Sequence, residues 1–144
     1  MTKQAGFSLV ELMVYITIVA ILLVSGMAMY RGYIGRANES SANQDLLLFR
    51  QSIVLYQNDI GQYPRVLEDL IRKPTDAEAA KNWRNKYVDP TSLKMSDGKI
   101  VDPWDNPYHY RVTKGATNPF ELYSDGDSTA DNPIRLDAWK IQRK

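Results

Sequence analysis

The sequence predicts an α+β fold: one long N-terminal helix, transmembrane over its first half, packed against a small antiparallel β-sheet and a C-terminal loop. Three observations carry this expectation. From Phe7 to Tyr30 the chain is almost wholly apolar, with one charged side chain, Glu11, and no proline, lysine or arginine. Ala42, Leu46, Phe49, Ile53, Tyr56 and Ile60 then recur at spacings of four and three, the period of one helical face. Two short aromatic runs, Tyr108-His109-Tyr110-Arg111 and Phe120-Glu121-Leu122-Tyr123-Ser124, follow a proline-flanked turn and read as a hairpin over that face.

About twenty apolar residues suffice for a helix to cross the hydrocarbon core. A helix is also the only single segment that satisfies its own backbone groups there. Leu, Ile, Val, Met and Ala surround the Phe7–Tyr30 segment on all sides, without the polar face of a surface helix. It therefore reads as membrane-inserted, the alternative being a buried helix in a soluble core. Glu11 is the exception. A carboxylate inside a membrane helix costs about a few kcal/mol or more, and by default it has a function and a partner. The plainer reading is a solvated side chain at the membrane surface, one turn into the run. The preceding Met1-Thr2-Lys3-Gln4-Ala5-Gly6 is short, carries Lys3 and ends in a small residue. A secretory signal has its small-residue cleavage site after the apolar region; here the small residue comes first. Cleavage after Gly6 would keep the helix and create an amino group on Phe7, four residues from Glu11.

Gly6-Phe7-Ser8-Leu9-Val10-Glu11-Leu12-Met13-Val14 resembles the class III signal of type IV pilins and pseudopilins. The resemblance implies a leader over residues 1–6, a peptidase cut between Gly6 and Phe7, and N-methylation of Phe7. It makes Glu11 the family glutamate that attracts the N-terminal amine of a neighbouring subunit. Physically, a carboxylate and an ammonium in an apolar filament core stabilise each other only when helices pack in one axial register, the best-attested use of a buried pair.

Composition narrows the remainder. Lys plus Arg is 18 against 17 Asp plus Glu, and loss of Lys3 with the leader leaves 17 of each sign, so nothing points to nucleic acid. Mean hydropathy is −0.40 despite the apolar run, so the rest is strongly polar. There is no cysteine, hence neither a disulfide scaffold nor a thiol nucleophile. Lys3 before the helix and Arg31 and Arg36 after it leave the charge rule for orientation undecided. The resemblance decides it: a single-pass inner-membrane protein with residues 31–144 as a periplasmic globular domain and residues 7–30 as the transmembrane and filament-core segment.

Along the chain, Phe7 to Asp59 forms one predicted helix of roughly 80 Å at about 1.5 Å per residue. Ser25-Gly26 and Gly32 to Gly35 are its weak points. It ends at Asp59–Ile60, with Gly61 at the C-terminal cap and Pro64 shortly after. Val66 to Ile71 reads as a short helix stopped by Lys73-Pro74-Thr75. Residues 75–100 read as irregular and polar, anchored by Trp83 and Tyr87.

Gly-x-Tyr-Pro at 61–64, Lys-Pro-Thr at 73–75, Asp-Pro-Trp-x-Asn-Pro-Tyr at 102–108 and Leu-Tyr-Ser at 122–124 come in that order. Together with the leader motif they are similar to the major pseudopilin family of the type II secretion system, with its type IV pilin-like fold. The resemblance covers nearly the whole chain and is strongest at 6–23 and 102–124. It implies a structural subunit of a periplasmic pseudopilus that drives folded proteins across the outer membrane. Its implied partners are further copies of itself, minor pseudopilins, the prepilin peptidase, the inner-membrane assembly platform and membrane lipid. A type IV or competence pilin is the alternative within this class, and a membrane-anchored calcium-dependent binding domain is the alternative outside it.

Ser124-Asp125-Gly126-Asp127-Ser128-Thr129-Ala130-Asp131-Asn132 concentrates carboxylates, an amide and hydroxyls. Hard cations such as Ca²⁺ take roughly six to eight oxygen ligands of these kinds. An acidic turn is usually just solvated, and the spacing is not that of an EF-hand. The family resemblance implies a structural Ca²⁺ here: Asp127 matches the first ligand aspartate, Asp131 and Asn132 a later acidic pair, and Asp125 a position that ligates through its carbonyl. No residue is assigned to catalysis. His109, the single histidine, reads as a packing residue of its strand, and no spacing joins serine, aspartate and histidine into a triad.

Overall fold

The computed structural model describes residues 7–113, 115–130 and 133–141. The chain divides into two compact units, Met1–Ala37 and Asn38–Lys144. Helix α1 is assigned from Leu9 to Ile60, 52 residues, and passes through Ser25-Gly26 and Gly32 to Gly35 without interruption.

Within the first unit every described side chain from Phe7 to Ala37 is exposed. Two hydroxyls in this apolar stretch are turned back on the helix: Thr17 Oγ1 donates to the Met13 carbonyl at 2.7 Å and Ser25 Oγ to that of Ile21 at 2.9 Å. Such bonds satisfy the hydrogens of these two hydroxyls in a lipid setting. This part of α1 is long and apolar enough to cross a membrane.

In the second unit the core is built on the stripe read from the sequence. Ala42, Leu46, Phe49, Ile53, Tyr56 and Ile60 are all buried. Gly61, at φ +87°, closes the helix, and its N–H reaches the Gln57 carbonyl at 2.9 Å. Against the stripe lies a three-stranded antiparallel sheet of β3 (His109–Val112), β4 (Phe120–Ser124) and β5 (Leu136–Asp137), with β4 in the middle. The hairpin register pairs His109 with Tyr123 and Val112 with Phe120. Alternation along β4 sends Phe120, Leu122 and Ser124 inward and Glu121 outward. Phe49 meets Tyr108 edge-on at 5.2 Å, and the Tyr108 hydroxyl donates to Asp45 of α1 at 2.9 Å. Burial raises the pKa of both Asp45 and Tyr108.

Three expectations change. Residues 75–100 are not irregular throughout: they hold α2 (Ala77–Asn82) and a small hairpin of β1 (Met95–Ser96) and β2 (Lys99–Ile100). Asp76 caps α2 by accepting from the Glu78 and Ala79 amides at 3.1 and 3.0 Å, and Asp97-Gly98 makes the tight turn that joins the strands. These elements are too short to show a hydrophobic period. Trp83 and Tyr87 do anchor the segment: both pack on the core, Trp83 Nε1 reaching the Asp69 carbonyl and Tyr87 lying 5.2 Å from Tyr56. The short helix expected over Val66 to Ile71 is a four-residue 3-10 turn, Leu67–Leu70. The C-terminal segment, expected as a loop, contributes β5, because Ala138 is buried and Trp139 Nε1 donates to the Phe120 carbonyl at 2.8 Å.

Candidate functional site

At the N-terminal end, Phe7 is 77% exposed, and Gly6 lies outside the described residues. The Glu11 carboxylate turns back along the helix and accepts from the Ser8 backbone N–H at 3.0 Å. Ser8 is a site residue that the motif reading passes over, although Ser-x-x-Glu ahead of an apolar run is the signal of a capping box. The first turn of a helix leaves its N–H groups unmet, and Glu11 meets one of them within its own chain.

The second site begins where β4 ends. Gly126 sits at φ +69°, and a Cβ there would collide with the Ile134 carbonyl. Asp127 Oδ1 accepts from both the amide and the hydroxyl of Thr129, at 2.9 and 2.6 Å. Those contacts, the hydroxyl first, hold its carboxyl below the usual carboxylate range. Asp125 goes elsewhere: its Oδ2 is 2.7 Å from His109 Nε2. The His109 ring is not packed in the core; it stacks on Tyr123 on the outer face of the sheet, centroids 4.5 Å apart. Arg135 lies over the same Tyr123 ring at 3.4 Å. The structure thus separates two of the candidate ligand side chains, Asp125 turning to the sheet and Asp127 to its own loop. Asp131 and Asn132 lie outside the described residues. Among the described residues no three His, Asp or Glu side chains form a metal-binding group. The donors that the described part of the loop offers, carboxylate, hydroxyl and carbonyl oxygen, are of the kind a hard cation takes.

Behind this loop is a residue that composition did not single out as chemical. Asp102, in the Asp-Pro-Trp block, is fully buried. Its Oδ1 accepts from the Trp104 and Asn106 amides at 3.0 and 2.8 Å, and its Oδ2 from Ser124 Oγ at 2.6 Å. The Asn106 side chain donates in turn to the Gly126 carbonyl at 3.1 Å. The block is a packed turn, as its prolines suggest, and it is also the support of the acidic loop.

Residues 1–27 match the prokaryotic N-terminal methylation motif, and residues 29–138 match the family described as type II secretion system (T2SS), protein G. The chain belongs to the type II secretion system protein G family. Among the protein G relatives, a type II secretion system core protein G of Pseudomonas aeruginosa is 33% identical over 144 residues, covering 95% of this chain and 96% of that protein. The core protein G of Vibrio cholerae is 29% identical, over 99% and 96%. In structure, the chain resembles the major pseudopilin from the type 2 secretion system of enterohaemorrhagic Escherichia coli. The TM-score is 0.53 at 21% identity, over 77% of this chain and 94% of that one, so the pseudopilin fold is shared. The protein G family is thus the one that the leader, the Gly-x-Tyr-Pro turn and the Asp-Pro-Trp block indicate.

Proposed function

We propose that this chain is the major pseudopilin of a type II secretion system, a structural subunit that polymerises into the periplasmic pseudopilus and drives folded proteins across the outer membrane. The observation that carries the reading is an apolar helical stretch, exposed from Phe7 to Tyr30 wherever its side chains are described, in a chain of the protein G family. Before assembly the segment 7–30 anchors the chain in the inner membrane by a single pass, with residues 31–144 in the periplasm. The prepilin peptidase cleaves between Gly6 and Phe7 and the new terminus is methylated. Further copies, minor pseudopilins and the assembly platform are the partners.

Glu11 gives the step its physics. In the single chain its carboxylate has a neutral partner, the Ser8 N–H. A neighbouring subunit offers the charged Phe7 amine instead, which adds the Coulomb attraction of two full opposite charges to the hydrogen bond. That exchange is available in one axial register only, so Glu11 selects register.

The loop following Ser124 is proposed to take Ca²⁺ as a structural ion, through Asp127, Asp131, Asn132 and Asp125. The His109 contact occupies the Asp125 carboxylate, which supports its contributing through the backbone carbonyl. The bound cation would offset repulsion among the loop carboxylates. Thr129 orients the Asp127 carboxylate through its Oδ1.

The test is overproduction of the full chain with its peptidase. Fibres whose subunits begin at Phe7, and their loss in Glu11→Leu with the periplasmic domain still folded, support the reading. Subunits retaining Met1, or fibres at the normal rate from Glu11→Leu, would falsify it.

A further inference from the structure

We propose that Asp102 is the positioning residue of the acidic loop: acting through Ser124, its carboxylate holds the loop's first turn in the arrangement that receives a cation. The cation part of this inference rests on the calcium reading above. A buried carboxylate is costly unless its oxygens are met, and among the described residues no cation pairs with Asp102. Three hydrogen bonds meet it instead, two from the amides of its own turn and one from Ser124.

The Ser124 bond sets a direction. A hydroxyl has one hydrogen to give, and an ionised carboxylate accepts only. Ser124 therefore spends its hydrogen on Asp102 and presents lone pairs to the Gly126 N–H, 3.0 Å away. The Gly126 carbonyl is held from the other side by Asn106 Nδ2. Both peptide groups flanking Gly126 are thereby fixed, and they join it to Asp125 and Asp127, two of the proposed ligands. Asp102 ligates nothing in this scheme. A loop already set in its bound form loses less freedom on binding, which raises affinity.

The experiment uses the full chain in detergent, with CaCl₂ as the probe. The variants are Ser124→Ala, Asp102→Asn and, as a control, Ser52→Ala, which removes a buried hydroxyl bonded to the Tyr87 carbonyl instead. Losing one buried hydrogen bond is expected to speed amide exchange at 125–130 in chelator, and to weaken calcium binding, each about tenfold. Exchange at 120–123 in β4 stays unchanged in Ser124→Ala, and Ser52→Ala moves neither loop exchange nor affinity. Loop exchange unchanged in both network variants, or raised equally along β4, overturns the positioning role. If the unaltered chain binds no calcium at about 10⁻³ M, the cation reading falls, and the exchange measurement alone then decides whether Asp102 positions the loop.

Discussion

Arg50 of α1 donates from Nη1 to the Ala138 carbonyl at 2.8 Å, and its guanidinium lies 5.5 Å from the Trp139 ring centroid. Trp139 also packs on Phe120 at 5.1 Å, so Arg50, off the apolar stripe, fastens the C-terminal segment to the helix while Trp139 fastens it to β4.

Arg50→Ala is expected to cost about 2–4 kcal/mol, the sum of a charged hydrogen bond and a half-buried cation–π contact. Arg50→Lys recovers only part, because an ammonium does not stack as a guanidinium does. Thermal unfolding of both variants, with amide exchange at 136–138, measures it; an unchanged midpoint and unchanged exchange in Arg50→Ala would remove this residue from the account.

Gly126→Ala places a Cβ against the Ile134 carbonyl in a left-handed backbone conformation. A loss of about 1–3 kcal/mol is expected from the strain, read as a lower urea midpoint. Asp125→Ala, next to it, gives up only an exposed pair with His109, and its midpoint falls by less than about 1 kcal/mol.

Asp127→Ala is expected to lower the melting temperature more in calcium than in chelator. In chelator it loses only the Thr129 contacts, of which Thr129→Ala removes the hydroxyl bond and keeps the amide one. Equal losses of Asp127→Ala in the two buffers would take the metal out of the argument.

Asp76 carries a pH dependence of defined sign. The Ala79 amide first, then the Arg65 charge and the bonds from Gln62 and Glu78, hold its carboxyl below the ordinary range. A depressed folded value contributes stability that is present above the unfolded pKa, about 3.9, and is lost as pH falls through the folded value. Asp76→Asn keeps a capping oxygen and has no charge to lose. The stability gap between the two proteins is therefore expected at neutral pH and to close in acid; a gap constant across that range would contradict the assignment.

Much of the fold is legible in the order of residues because it depends on period. The six-residue stripe from Ala42 to Ile60 and the alternation of Phe120, Leu122 and Ser124 each repeat often enough to stand above chance. The Asp76 cap and the Asp97-Gly98 turn carry local signals too, but in elements of two to six residues, where no period forms. Of the candidate site residues, Glu11 is marked by being the one charge in an apolar run, whereas Asp102 looks like any turn aspartate. Its burial is completed by Ser124, which contacts it only after the hairpin has closed.

By itself, then, the sequence determined the membrane-length helix, the acid within it, the core stripe and the hairpin, all of which follow from local composition and spacing. Only the tertiary structure decided that Arg50 fastens the C-terminal segment, that His109 draws the Asp125 carboxylate onto the sheet, and that Asp102 supports the loop. Each joins residues that are distant along the chain: Arg50 to Ala138 spans 88 positions and Asp102 to Ser124 spans 22. Partners so far apart leave no repeating pattern in the sequence, since they are brought together only when hydrophobic burial folds the sheet onto the helix.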